Sequence, residues 1–118
     1  MKLEELAGCL EKLGNPTRLA IVRLLIKAGP DGMTVGELQG HLAIPASTLS
    51  HHILFLVTSS LIQQERDGRM VRCKVNLPLI DDIIQALMAE CCAGVDAVGT
   101  GGGAAPACSA RPRRKAQS

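Results

Sequence analysis

The sequence predicts a winged helix-turn-helix: a mainly α fold of four helices, a β-hairpin wing and a closing C-terminal helix. Three observations predict it. Aliphatic residues recur at helical spacing through the first half of the chain. Two of the helices are joined only by Ala43, Ile44 and Pro45, the outline of a helix-turn-helix. The period then switches from 3.6 to 2 on either side of Asp67-Gly68, a two-residue hairpin signal.

Each element has its own local cause. Leu3, Leu6, Leu10 and Leu13, with Glu4, Glu5, Glu11 and Lys12 between them, make residues 2–13 an amphipathic helix. Gly14-Asn15-Pro16 stops it: Asn15 can cap the next helix, and Pro16 sits where a missing N–H costs nothing. That second helix is expected over 17–28 with Leu19, Val22, Leu25 and Ile26 inward, ended by Gly29-Pro30-Asp31-Gly32. Thr34 and Glu37 form a capping-box pattern that opens a short helix through Leu42. The helix after Pro45 is expected over 46–59, with Leu49, Ile53 and Leu56 on one face. Strands are expected over Leu61–Arg66 and Arg69–Val75. Asn76, Leu77 and Pro78 start the last helix, which is expected to bury Ile80, Ile83, Ile84, Leu87 and Met88 and to fray near Gly94. Helical phase would put Cys91 and Cys92 one turn beyond Leu87 and Met88, extending the apolar stripe. Residues 1–94 are thus the folded domain, and the Gly-rich, basic stretch 95–118 reads as a flexible tail.

Composition narrows the function. The chain has 118 residues, 47% of them hydrophobic, with one Phe and neither Trp nor Tyr, so a stacking platform for single-stranded nucleic acid is excluded. The tail holds four of the 13 basic residues (Arg111, Arg113, Arg114 and Lys115), which leaves residues 1–94 near neutrality. A nucleic-acid surface must therefore be a local cluster. No apolar run approaches the ~18–20 residues of a membrane span, and the acidic, helical N-terminus is unlike a signal peptide. A cytoplasmic location is expected, where disulfides are disfavoured. Five cysteines, two of them adjacent, then point to ligand or redox chemistry.

Ser47, Thr48, Ser50 and His51 lie on the first turns of the second helix of the helix-turn-helix, the end that faces base edges in the major groove. Arg66, Arg69, Arg72 and Lys74 cluster on the hairpin, where outward side chains reach phosphate or the minor groove. The helix continues after His52 as ILFLVTSS, without a basic residue. The stretch LGNPTRLAIVRLL (Leu13–Leu25) resembles the second-helix signature of the ArsR/SmtB repressors. PASTLSHHI (Pro45–Ile53) resembles their recognition helix, and Gly68-Arg69 their wing tip. The resemblance covers roughly residues 3–92. It implies a homodimer, paired through its first and last helices, that binds double-stranded operator DNA and is released by a metal ion, metalloid or reactive sulfur species.

The resemblance also directs attention to the inducer. Arsenic repressors of this family carry Cys-Val-Cys in the first helix of the helix-turn-helix; the matching stretch here, Thr34–Gln39, has no thiol. Zinc and cobalt sensors use Asp and His pairs on the last helix; Asp81 and Asp82 are present there without a histidine. Cys91-Cys92 is similar to a branch of arsenic repressors whose site lies on the last helix, sometimes completed by a cysteine downstream. Trivalent arsenic and antimony take two or three thiolates, so Cys91, Cys92 and Cys108 are the candidate ligands. The linker from Cys92 to Cys108 has a root-mean-square reach of roughly 20–24 Å, enough to fold back. Cys9 competes for the third position. The expected inducers are inorganic As(III), methylarsenite or Sb(III), with no permanently bound cofactor.

Two rivals stand beside this reading. A thiol redox or persulfide sensor of the same fold would pair Cys9 with Cys91 or Cys92. A small thiol enzyme would need a Gly-rich anion loop, Cys-x-x-Cys or a His placed to activate a thiolate, and the sequence has none of these.

Overall fold

A computed structural model of the chain describes residues 1–95. The expected Cys108 ligand and the basic cluster at the C-terminus lie outside the described residues. The helices are α1 (Leu3–Leu13), α2 (Pro16–Ala28), α3 (Val35–Leu42), α4 (Ala46–Thr58) and α5 (Leu77–Met88), and the strands β1 (Met33–Thr34), β2 (Ile62–Asp67) and β3 (Met70–Val75). This is the mainly α fold with a β wing that the sequence predicts.

Capping chemistry sets the helix starts. The Asn15 side-chain oxygen accepts from the N–H groups of Thr17 and Arg18 at 2.9 and 3.1 Å, with Pro16 in the first turn of α2. At α3 the Glu37 N–H donates to Thr34 Oγ1 at 3.1 Å, and the Thr34 N–H donates to Glu37 Oε1 at 2.9 Å. The box closes both ways. At α5 the Leu79 N–H donates to Asn76 Oδ1, and Asn76 Nδ2 donates to the Ser60 carbonyl.

The core lies where α2, α3, α4 and the sheet meet: Ile21, Val22, Leu25, Leu38, Leu49, Ile53, Leu56, Leu61, Ile62 and Cys73 are buried. The α4 face agrees with the sequence pattern; the α2 face agrees at Val22 and Leu25 but not at Leu19 and Ile26. Ile21 is fully buried, whereas Leu19 and Ile26 are about two-fifths exposed. Helix α2 carries aliphatics on both sides, so periodicity cannot choose its phase, and packing against α4 and β3 does. On α5, Ile83 is buried and Ile80 packs on the core, but Ile84, Leu87 and Met88 are more than half exposed. Their expected burial is not achieved within a single chain.

The sheet has the order β1-β3-β2, all antiparallel. Strand β1, with Met33 opposite Cys73 and Thr34 opposite Arg72, is an addition to the expected hairpin. Two residues carry no period to read. The wing turn is also shifted by one residue. Asp67 pairs with Met70, so the loop is Gly68-Arg69 and not Asp67-Gly68. Gly68 has φ +67°, the left-handed first loop position that glycine adopts without strain.

Candidate nucleic-acid interface and thiol pair

Pro45 precedes α4, and the first turns of that helix present Ser47, Thr48, Ser50 and His51 to solvent while Leu49 is fully buried. The exposed hydroxyls and imidazole are suited to hydrogen-bonding base edges. Among the described residues, no helix is long and apolar enough to cross a membrane.

The wing divides the basic residues between its two faces. The register places Glu65 opposite Arg72 and Gln63 opposite Lys74 on one face. Lys74 Nζ meets Glu65 Oε1 at 3.0 Å, and Arg72 Nε lies 3.8 Å from Asp67 Oδ2. Arg72 Nη1 also donates to the Asp31 carbonyl at 3.3 Å. Arg72 thus ties the wing to the turn after α2. Arg66 pairs with Val71 on the other face, and Arg69 sits in the exposed loop. The four basic residues therefore do not form one cluster: Arg66 and Arg69 reach outward, while Arg72 and Lys74 have carboxylate partners.

A second basic group was not anticipated from the sequence. Phe55, the single aromatic of the chain, lies under two cations: Lys12 Nζ is 5.2 Å and the Arg18 guanidinium carbon 5.1 Å from its ring centroid. Arg18 Nε donates to the Lys12 carbonyl at 2.7 Å, and His51 packs edge-on against Phe55 at 5.1 Å. The absence of charge in ILFLVTSS was the available signal, but nothing in the sequence says that α1 and α2 supply the cations.

His52 is half-buried, and its Nδ1 is buried without a hydrogen-bond partner. Burial holds its pKa below the ordinary histidine value, helped by Arg18 and His51. The unfolded chain therefore takes up this proton first as pH falls. The stability that neutral His52 contributes is complete above about pH 6.5 and declines below it. The thermal midpoint is expected to fall between about pH 7.5 and 5.5, and His52→Gln to flatten that dependence. An unchanged pH profile in the variant would assign the loss to other groups.

The cysteines fall into two kinds. Cys73 is fully buried and Cys9 nearly so; burial raises the pKa of both, with the Glu5 carboxylate adding to the effect at Cys9. Their thiolates are disfavoured near neutral pH. Cys91 and Cys92 are exposed. They do not extend the last helix, because α5 ends at Met88 and the chain turns with φ +66° at Glu90 and +61° at Cys92. On a helix, adjacent side chains would diverge by ~100°; the turn instead brings the two sulfurs to 3.5 Å. Among the described residues, no three His, Cys, Asp or Glu side chains converge on one point.

Known proteins place the fold. A helix-turn-helix domain family matches residues 13–62. The arsenical resistance operon repressor of Staphylococcus aureus is 34% identical over 87 residues, 74% of this chain and 81% of that protein. Among solved structures, an ArsR family transcriptional regulator superposes with TM-score 0.64 at 30% identity, covering 76% of this chain and 89% of its own. The transcriptional repressor BigR from Xylella fastidiosa superposes with TM-score 0.60 at 26% identity, covering 77% and 90%. The exposed face of α4, the wing and these likenesses together identify a DNA-binding regulator and not an enzyme: the chain belongs to the ArsR/SmtB family of transcriptional repressors.

Proposed function

We propose that this repressor senses trivalent arsenic or antimony through Cys91 and Cys92. The observation that carries the reading is the 3.5 Å approach of the two exposed sulfurs, at which one soft centre can be held by both. The S. aureus relative, an arsenical resistance operon repressor, supports the same ligand class. Cys9 and Cys73 are poor competitors, since burial opposes the thiolate each would have to supply. Cys108 is the third ligand for inorganic As(III) and Sb(III); methylarsenite, with one carbon already on arsenic, needs only the pair.

The protein acts in the cytoplasm as a homodimer on double-stranded operator DNA. Exposed Leu3 and Leu10 on α1 and Ile84, Leu87 and Met88 on α5 supply apolar area for a second copy. Ser47, Thr48, Ser50 and His51 read bases, while Arg66 and Arg69 serve the wing's backbone contacts and Arg72, held by Asp67 and the Asp31 carbonyl, braces the wing. The folded unit is residues 1–94, and 95–118 act as the tail that carries Cys108. Ligation just past α5 alters the dimer and so the spacing of the two α4 helices, which couples inducer to DNA.

The test follows the anisotropy of labelled DNA from upstream of the protein's own gene. Reduced protein is bound and then titrated with arsenite, methylarsenite and zinc in parallel. Release by an arsenical and not by zinc is expected. Cys108→Ser should weaken the response to arsenite more than that to methylarsenite. Release that requires an oxidant or polysulfide would replace this reading by the thiol redox or persulfide sensor.

A further inference from the structure

Helix α4 departs from what a groove-binding helix needs: after His52 its exposed positions are Leu54, Phe55 and Thr58, with no cation to meet a phosphate. The fold supplies the missing charge from elsewhere. Ser47, His51 and Phe55 are spaced i, i+4 and i+8 and so form one line along the helix. At the far end of that line, Lys12 from the last turn of α1 and Arg18 from the first turn of α2 converge on the Phe55 ring.

Neither cation is neutralised. Among the described residues the ion pairs are Arg72–Asp67 and Lys74–Glu65, and neither involves Lys12 or Arg18. Arg18 is oriented by its bond to the Lys12 carbonyl, which leaves its terminal nitrogens as further donors. Lys12 is held over the ring face, which attracts the ammonium without discharging it. Eight residues of helix separate Phe55 from Ser47, about 12 Å along the axis. The major groove is roughly 8.5 Å deep. With the first turns of α4 at the base edges, the groups at Phe55 lie towards the far end of the helix, where the flanking phosphates are the nearest DNA groups.

We propose that Lys12 and Arg18, displayed on Phe55, form a clamp for the DNA phosphodiester backbone that replaces the basic residues absent from α4. The inference rests on the placement of α4 in the groove and is independent of the inducer. The clamp touches phosphate only, so it adds affinity without sequence preference.

Lys12→Gln is the informative variant, because Arg18 also bonds the α1 carbonyl and its loss mixes binding with folding. The full chain is titrated at several salt concentrations onto the upstream operator duplex and onto an unrelated duplex of equal length. Loss of one phosphate contact should make the log–log salt slope shallower by about 0.9 and weaken binding about fivefold near 0.15 M salt, equally on both duplexes. Lys12→Arg should retain the wild-type slope. Phe55→Leu, which keeps the cations but removes the surface that gathers them, should reproduce part of the loss. A wild-type slope in Lys12→Gln would overturn the clamp, whether or not the variant's melting temperature had dropped. A loss confined to the operator duplex would overturn it as well. His51→Ala, run alongside, tests the placement of α4 separately: it should lower the preference for operator over unrelated DNA and leave the slope intact. If that preference is unchanged, the α4 placement fails and the clamp that rests on it fails too; a lowered preference with a wild-type Lys12→Gln slope overturns the clamp alone.

Discussion

Replacing Cys91 and Cys92 together by serine is expected to give a repressor that still binds operator DNA but is no longer released by arsenite or methylarsenite. Disturbing only the outer partners of a metal site costs about 10- to 100-fold in affinity, so removing two ligands should cost more than about 100-fold. Serine preserves size and removes the soft donor, which separates ligation from packing. Both side chains are exposed, so in the fully reduced protein the substitutions are expected to leave the melting temperature nearly unchanged. The single variants sharpen the test. If one centre bridges the pair, Cys91→Ser and Cys92→Ser should each lose most of the response, and the double variant should add little. Wild-type release in the double variant would move the sensor to other residues.

The second large effect concerns folding. Gly32 stands between α2 and β1 with φ +69°, and a Cβ placed there would run into the Cys73 carbonyl oxygen and come within 2.8 Å of Lys74 Cγ. The obstruction is backbone belonging to β3, which β1 and β2 hold on both sides, so it cannot yield without breaking the sheet. Left-handed strain and forced overpacking together put the cost of Gly32→Ala on the order of 3 kcal/mol. At roughly 4–8 °C per kcal/mol for a domain of this size, the melting temperature should drop by more than about 10 °C. Gly68 provides the control, with φ +67° and nothing within 4 Å of its Cβ position. Gly68→Ala carries the conformational strain alone, about 1–2 kcal/mol. Equal melting temperatures for the two variants would mean that the close approach of Gly32 to Cys73 contributes nothing.

Much of this architecture could be read before any coordinates because it is local. The Asn15-Pro16 start of α2, the Thr34/Glu37 box of α3 and the Leu49, Ile53 and Leu56 stripe of α4 each depend on residues within three or four positions of one another. Hydrogen bonds and apolar periods of that range are written in the order of residues. The wing was legible for the same reason, although its turn slipped by one residue because glycine suits either loop position. The exposure of Ser47, Thr48, Ser50 and His51 on the first turns of α4 followed directly from the helix boundary.

Other features depended on which elements meet. The phase of α2 was ambiguous in the sequence because Leu19 and Ile26 are as apolar as Ile21; contact with α4 and β3 selected Ile21. Strand β1 exists only because β3 offers it a partner. Arg72 and Lys74 looked available until cross-strand register set Asp67 and Glu65 against them. The cysteine pair was legible as a pair but misplaced, since left-handed residues at Glu90 and Cys92, neither of them glycine, end the helical geometry that periodicity would have continued. The convergence of Lys12 and Arg18 on Phe55 joins three helices across more than 40 positions of sequence. The sequence by itself determined the class of fold, the helix-turn-helix and the presence of adjacent cysteines, because each is encoded over a few residues. Tertiary structure alone decided which charges are neutralised, which cations gather on the aromatic ring and how closely two sulfurs approach. Those depend on register, packing and backbone torsion, which no short stretch of residues carries.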